Sequence, residues 1–272
     1  MKKNNFWGII FIAFFYLDLI TCIFATSASL DNYIDNNQVI NIVLLAVTAI
    51  LSFFISYYII DIIFHEFGHL VLGYFFNWKI YSFNILGISI ERKNKKINIF
   101  RAPISDLGGY VEMAPRNEKQ NLILPMLGGI IMNILLCIVF IIVIILTDNP
   151  FVLCISVSFV FSNLVMAINN SVPYTPNSIT KTDMYQIKEM NESKKNGTFK
   201  YYIKYIELYN ICKKKQIKDI DDSYFLLDVE NNSPYLDLIH FTYLNKLISL
   251  EKFDVALNKI DELLMNEKID ES

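Results

Sequence analysis

The sequence predicts a mainly α fold: a polytopic membrane helical bundle of about four spans, with a small membrane-associated β segment and a helical cytoplasmic tail. Three observations carry that expectation. The 272-residue chain is 54% hydrophobic and only 19% charged, with mean hydropathy +0.37, which is far from the balance of an ordinary soluble domain. Its basic residues are unevenly spread, with no Lys or Arg between Lys3 and Lys79 and none between Lys119 and Lys181. Those gaps hold apolar runs long enough to cross a bilayer, so lipid is the first partner implied. The net charge of −3 comes without a basic face, and no nucleic-acid partner is indicated.

The first run, "FWGIIFIAFFYLDLITCIFA" (Phe6 to Ala25), follows "MKKNN". Asp18 interrupts what would be the apolar heart of a signal peptide, which favours an uncleaved helix; cleavage, including a lipoprotein-type cut at "LITC", is the alternative. The second run, Val39 to Phe76, has 38 residues. As helix it would be about 57 Å long, against a hydrocarbon layer of about 30 Å, so it must project from the membrane, bend or break. The third run is Asn121 to Leu146, and the fourth runs from Phe151 to about Ile168 after the turn "TDNP".

Charge sets the expected orientation. Residues 27–38 and the "TDNP" turn contain no Lys or Arg, whereas 77–120 contain eight and the tail after Thr180 fourteen. By the positive-inside rule, both termini and the 77–120 segment face the cytoplasm. The chain thus divides into 1–38 (first span and extracytoplasmic loop), a core over 39–190 with spans near 39–76, 121–146 and 151–170, and a tail over 191–272.

Within the core, near 79–113, "YSFNILGISI" and "KINIF" read as strands on either side of a turn "ERKNKK". This is either a plain surface hairpin or, with a free edge along Tyr81 to Ile90, a place where an extended segment adds as a further strand. In the tail, "FKYYIKYIELYNICKKK" reads as an amphipathic helix. "SPYLDLIHFTYLNKLISLEKFDVALNKIDELL" reads as a helical hairpin, capped by Ser233 with Pro234 at the first helical position. Its second half faintly resembles a tetratricopeptide unit, with Leu244 where a small residue is usual. A single such hairpin does not bury its own faces, so a protein partner for the tail is expected. The four cysteines, Cys22, Cys137, Cys154 and Cys212, have no ligand spacing, and three lie in apolar runs, where cysteine packs as a small hydrophobe.

The second run ends in "DIIFHEFGHLVLGYFF". Residues four apart share a helix face, so His65 and His69 can bind one ion, and Glu66 beside them can take a proton from water activated there. An ionisable side chain at mid-bilayer costs about 2.5–3.5 kcal/mol on insertion scales, whereas zinc binding in small peptides supplies about 10–16 kcal/mol. A bound dication therefore explains Asp61, His65, Glu66 and His69 on one apolar helix better than chance does. Two imidazoles leave a catalytic site one ligand short. His240, in the tail, reads as an ordinary residue, so the third ligand is sought among carboxylates beyond the fourth span.

Four motifs in order complete the pattern: "HEFGHL" (65–70), "LGGYVEM" (107–113), "GGIIMN" (128–133) and "NSVP" (170–173), followed by "KTDMYQI" with Asp183. Over roughly residues 40–190 the sequence resembles the site-2 proteases, zinc intramembrane metalloproteases. The resemblance implies that His65, His69 and Asp183 hold one Zn²⁺ and that Glu66 is the general base. It implies too that Asn133 and Asn170 polarise the peptide carbonyl or position the substrate backbone. The departures are Ile130 in place of a proline, Asp183–Met184 in place of Asp–Gly, and a longer stretch from Pro173 to Asp183, which expects Asp183 at the membrane edge or in a loop. Asp61 is the alternative ligand, though one turn before His65 it better suits a place behind the ligand. The expected activity is zinc-dependent endoproteolysis, by metal-activated water, of a bond in or near a transmembrane segment of a membrane protein or small peptide precursor. The expected location is the cell membrane. The alternatives are a non-catalytic zinc-containing scaffold or binding protein, or a peptide maturation or immunity factor.

Overall fold

The computed structural model describes residues 3–30, 38–93, 96–101, 108–175, 181–213, 215–227 and 233–270. The chain forms two compact units, Met1–Met113 with Asn121–Glu189, and Ala114–Gln120 with Met190–Ser272.

The first unit is mainly helical. Among the described residues, three stretches are long and apolar enough to cross a membrane: Ile42–Phe75, Gly128–Leu146 and Pro150–Ser171. A shorter apolar stretch, Ile9–Phe24, lies in α1 (Lys3–Leu30). The long second run neither breaks nor stops: α2 (Gln38–Ile55) continues through a π turn, Ser56–Ile60, into α3 (Asp61–Phe75). A π turn holds one residue more than an α turn, so α3 faces its neighbours about 100° away from where α2 alone would aim it.

Helix α3 ends in a Schellman cap. Asn77 takes φ 57°, its N–H donates to the Tyr74 carbonyl, and the Trp78 N–H donates to the Gly73 carbonyl. Trp78 is buried and donates from its indole to the Asn121 carbonyl at 3.0 Å, which pins the exit of α3 to the entry of the next helices. These are α4 (Ile123–Met126), α5 (Gly128–Leu146) and α6 (Pro150–Ser171). The turn before α6 is built by Asn149, which accepts from the N–H groups of Phe151 and Val152 while Pro150 takes the first helical position.

Helix α5 buries Gly128, Gly129, Asn133 and Cys137 on one side and exposes Ile134, Ile138, Ile142 and Ile145 on the other. An apolar, unburied side is what a lipid-facing helix presents. Helices α1, α2 and α6 share a core of Cys22, Leu45, Ala49, Cys154 and Val157. Asp18 lies fully buried beside it, accepting from the Ser158 hydroxyl at 3.2 Å and the Cys22 thiol at 3.4 Å. The acid that interrupts the first apolar run therefore faces a hydroxyl on α6.

The sheet has four strands, β1 (Lys79–Ile85), β2 (Ile88–Lys93), β3 (Lys96–Arg101) and β4 (Gly109–Ala114), in the order β3-β2-β1-β4. This corrects two expectations. "YSFNILGISI" is itself a hairpin, turning at Leu86 (φ 46°) and Gly87 (φ 79°) with Ile85 opposite Ile88. Both central residues have positive φ, as the two-residue turn matching strand twist requires. "ERKNKK" is mostly strand, with Arg92 opposite Ile97, and its tip lies outside the described residues. The stretch Tyr81 to Ile90 has no free edge, because β1 and β2 are both internal; the edges are β3 and β4.

The second unit contains α8 (Phe199–Cys212), α9 (Pro234–Ser249) and α10 (Phe253–Asp270). Leu208, Ile220, Phe225 and Ile239 form its core. Ser233 caps α9, accepting from the Tyr235 N–H, with Pro234 following it. Helix α10 turns back after Glu251 (φ 58°) and buries Ala256. His240 is buried on α9.

Candidate metal centre

Helix α3 carries His65, Glu66 and His69 on its buried side. It can approach α5 because neither helix has a side chain at the crossing. A Cβ on Gly68 would strike the Gly128 carbonyl, and one on Gly129 would enter the His65 ring. The imidazoles consequently point along the α3–α5 seam, their Nε2 atoms 3.3 Å apart.

Asp183 is the third member. His65 Nε2 lies 3.2 Å from its Oδ2 and His69 Nε2 lies 3.3 Å from its Oδ1. Asp183 is the first residue of α7 (Asp183–Lys195), rather than part of an open loop, and is 5% exposed. The residue before it explains how a long connection brings the carboxyl home. The Thr182 N–H donates to the Tyr174 carbonyl, its hydroxyl donates to the Val172 carbonyl at 2.8 Å, and that same oxygen accepts from the Tyr174 N–H. The chain leaving α6 is thereby clasped to the start of α7.

The donor set suits a cation. His69 Nδ1 lies 3.0 Å from the Pro125 carbonyl, which can only accept. The proton therefore sits on Nδ1 and the lone pair on Nε2. His65 Nδ1 is 2.7 Å from the Asn133 side-chain oxygen, an equivalent partner. Two Nε2 lone pairs and a carboxylate then face one another in a buried space, and Asp183 Oδ2 has no aligned hydrogen-bond donor despite its 3.2 Å approach to His65. Such a cluster is repulsive by itself and is satisfied by a positive ion. His65, His69 and Asp183 are the group that could hold one among the described residues.

Glu66 lies beside the cluster, 9% exposed, with the Val111 backbone N–H of β4 hydrogen-bonded to its carboxyl group. A Cβ on Gly109, in the same strand, would come within 2.5 Å of Glu66 Cγ. The sheet thus reaches the site through β4, held close by a glycine.

The remaining sequence candidates separate. Asn133 is fully buried; its oxygen faces His65 and its amide donates to Asn163 Oδ1 at 3.0 Å. Asn170 is half-buried on the last turn of α6 and donates to its own helix, at the Met166 carbonyl. Asp61, fully buried, accepts at Oδ1 from Asn163 Nδ2 at 2.8 Å and from the Ser56 hydroxyl at 2.7 Å, and is not among the residues grouped as a possible ion site. His240 belongs to the other unit. Sequence reasoning missed Asn163 and Thr182. Asn163 gave one signal, an amide inside an apolar span; Thr182 gave none beyond being a good cap residue before an acid.

The family model described as peptidase family M50 matches residues 52–250. No curated protein and no solved structure matches the chain.

Proposed function

The chain belongs to peptidase family M50, the site-2 protease family, and from that membership we propose that it is a zinc-dependent intramembrane endopeptidase. The single observation behind this reading is the meeting of His65 Nε2, His69 Nε2 and the Asp183 carboxylate, with Glu66 alongside. These three residues would hold one zinc ion. When bound, zinc polarises a carbonyl and lowers the pKa of water toward about 7.

The chain's own residues supply the rest. Glu66 takes the proton from the attacking water and returns it to the leaving amine; the Val111 N–H orients its carboxyl group for both transfers. The edge strand β4, whose backbone bonds Glu66, is where a substrate segment unwound from its helix would lie, since a helical peptide bond is shielded by its own hydrogen bonds. Asn170 is assigned to substrate contact; Asn133, with both ends of its amide engaged inside the core, is assigned to holding His65. The substrate bond lies in or near a transmembrane segment of a membrane protein or small peptide precursor. Four spans with both termini in the cytoplasm would put that bond near the cytoplasmic side, following the distribution of Lys and Arg.

The test pairs two measurements on wild type and Glu66→Gln: zinc per chain, and cleavage of co-expressed candidate membrane proteins. Zinc retained with cleavage abolished is expected. Cleavage surviving in Glu66→Gln would remove the general base from the mechanism, and absence of zinc from the wild type would remove the mechanism itself.

A further inference from the structure

Building on the metal-centre reading above, we propose that Asp61 and Asn163 are positioning residues: through Asn133 they hold His65 in the tautomer that leaves its Nε2 lone pair for a metal.

The chain of constraints begins at a group whose role cannot change. The Phe159 backbone carbonyl only accepts, and Asn163 Nδ2 lies 2.8 Å from it. The same Nδ2 lies 2.8 Å from Asp61 Oδ1. Two acceptors at one end of the amide make that end the NH₂. The Asn163 oxygen must then face Asn133, which offers its own NH₂ at 3.0 Å. This leaves the Asn133 oxygen toward His65 Nδ1, at 2.7 Å. An amide oxygen does not donate, so the imidazole proton sits on Nδ1 and the lone pair on Nε2. Asp61, Asn163 and Asn133 are each 0% exposed and His65 is 5% exposed, so solvent offers no competing partners.

Asp61 is itself held. The Ser56 hydroxyl donates to its Oδ1, and the Ser162 hydroxyl donates to Ser56 Oγ at 2.6 Å. Ser56 and Asp61 bracket the π turn, where the Asp61 N–H bonds the Ser56 carbonyl. The extra residue of that turn rotates Asp61 toward α6; without it the carboxyl would point elsewhere on the helix. A π turn and a buried acid in one span, with a buried amide in each of two others, are costly unless they act together.

The competing explanation is that these groups only tie helices together. The tautomer of His65 separates the two. The 272-residue chain has three histidines, so ¹⁵N-histidine labelling in detergent gives three rings, and His240→Gln removes one. In metal-free wild type, at alkaline pH where the two rings facing Asp183 are neutral, both are expected as Nδ1–H. In Asn163→Leu, His65 is expected as a mixture of tautomers, while His69, held by the Pro125 carbonyl, is unchanged. Co²⁺ affinity, read by competition with a chelator, is expected to fall about 10–100-fold with an altered visible spectrum. Should Asn163→Leu not fold, Asn163→Ala carries the same expectation. Asp61→Leu should weaken Co²⁺ binding and Asp61→Asn restore it, since the amide oxygen still accepts from Ser56 and Asn163. An unchanged His65 tautomer and unchanged Co²⁺ affinity in a folded Asn163 variant would overturn the positioning role and leave the metal centre standing. A wild type that takes up neither Co²⁺ nor Zn²⁺ would overturn both.

Discussion

His65 shows how tightly single residues define this site. Its ring fills the space that a side chain at residue 129 would need, and its Nδ1 is held on the other side by Asn133. Gly129→Ala is therefore expected to displace the ring even though alanine favours helix formation. Zinc content should fall well below one per chain, and cleavage should drop about a hundredfold, as misplacement by an ångström commonly costs; metal analysis and a cleavage assay check this. Asp183→Ala is expected to abolish tight zinc binding, since it removes the only carboxylate that faces both Nε2 atoms among the described residues. The imidazole pair was legible in the sequence because four-residue spacing on a helix fixes a shared face. The partner of each Nδ1 was not, because Pro125 and Asn133 lie on other helices.

At the scale of elements, connections matter more than helices. Thr182 closes the path from α6 to α7 with three hydrogen bonds and so returns Asp183 to the histidines. Thr182→Val keeps the shape and removes the hydroxyl. It should loosen this clasp by about 1 kcal/mol, as loss of a capping side chain does, and weaken zinc affinity several-fold, with Thr182→Ser restoring it in a chelator titration. The Leu86–Gly87 turn escaped notice because Leu-Gly is not among the dipeptides that favour positive φ at both positions.

Helix α9 offers a pH-dependent prediction of its own. Burial and then the Lys259 ammonium hold the His240 imidazole below its ordinary value of 6.5. The unfolded chain binds that proton more readily, so the contribution is fully present above pH 6.5 and declines as pH falls toward the folded value. Hydrogen-exchange protection of α9, corrected for the intrinsic pH dependence of amide exchange, should fall on acidification through that range, and His240→Gln should blunt the change.

For the whole molecule, folding and metal binding should be coupled. An ion bound by the native state alone at a hundred times its Kd adds about 2.7 kcal/mol of stability. Zinc-loaded protein in detergent should thus melt at a higher temperature than chelator-treated protein, and Asp183→Ala should melt alike with and without chelator. A reporter enzyme fused after Ser272 should be active in the cytoplasm if the uneven spread of Lys and Arg sets the topology.

Local periodicity and composition were enough to determine that this chain is helical and apolar, with two imidazoles and an acid on one turn-spaced face of its second apolar run. Those properties depend on neighbours along the chain, and spacing alone encodes them. Which carboxylate meets the imidazoles, which asparagine supports them and which strands stay internal were decided only by the tertiary structure. Each depends on distances between residues far apart in sequence, set by the glycine crossing of α3 and α5, the π turn before Asp61 and the Thr182 clasp.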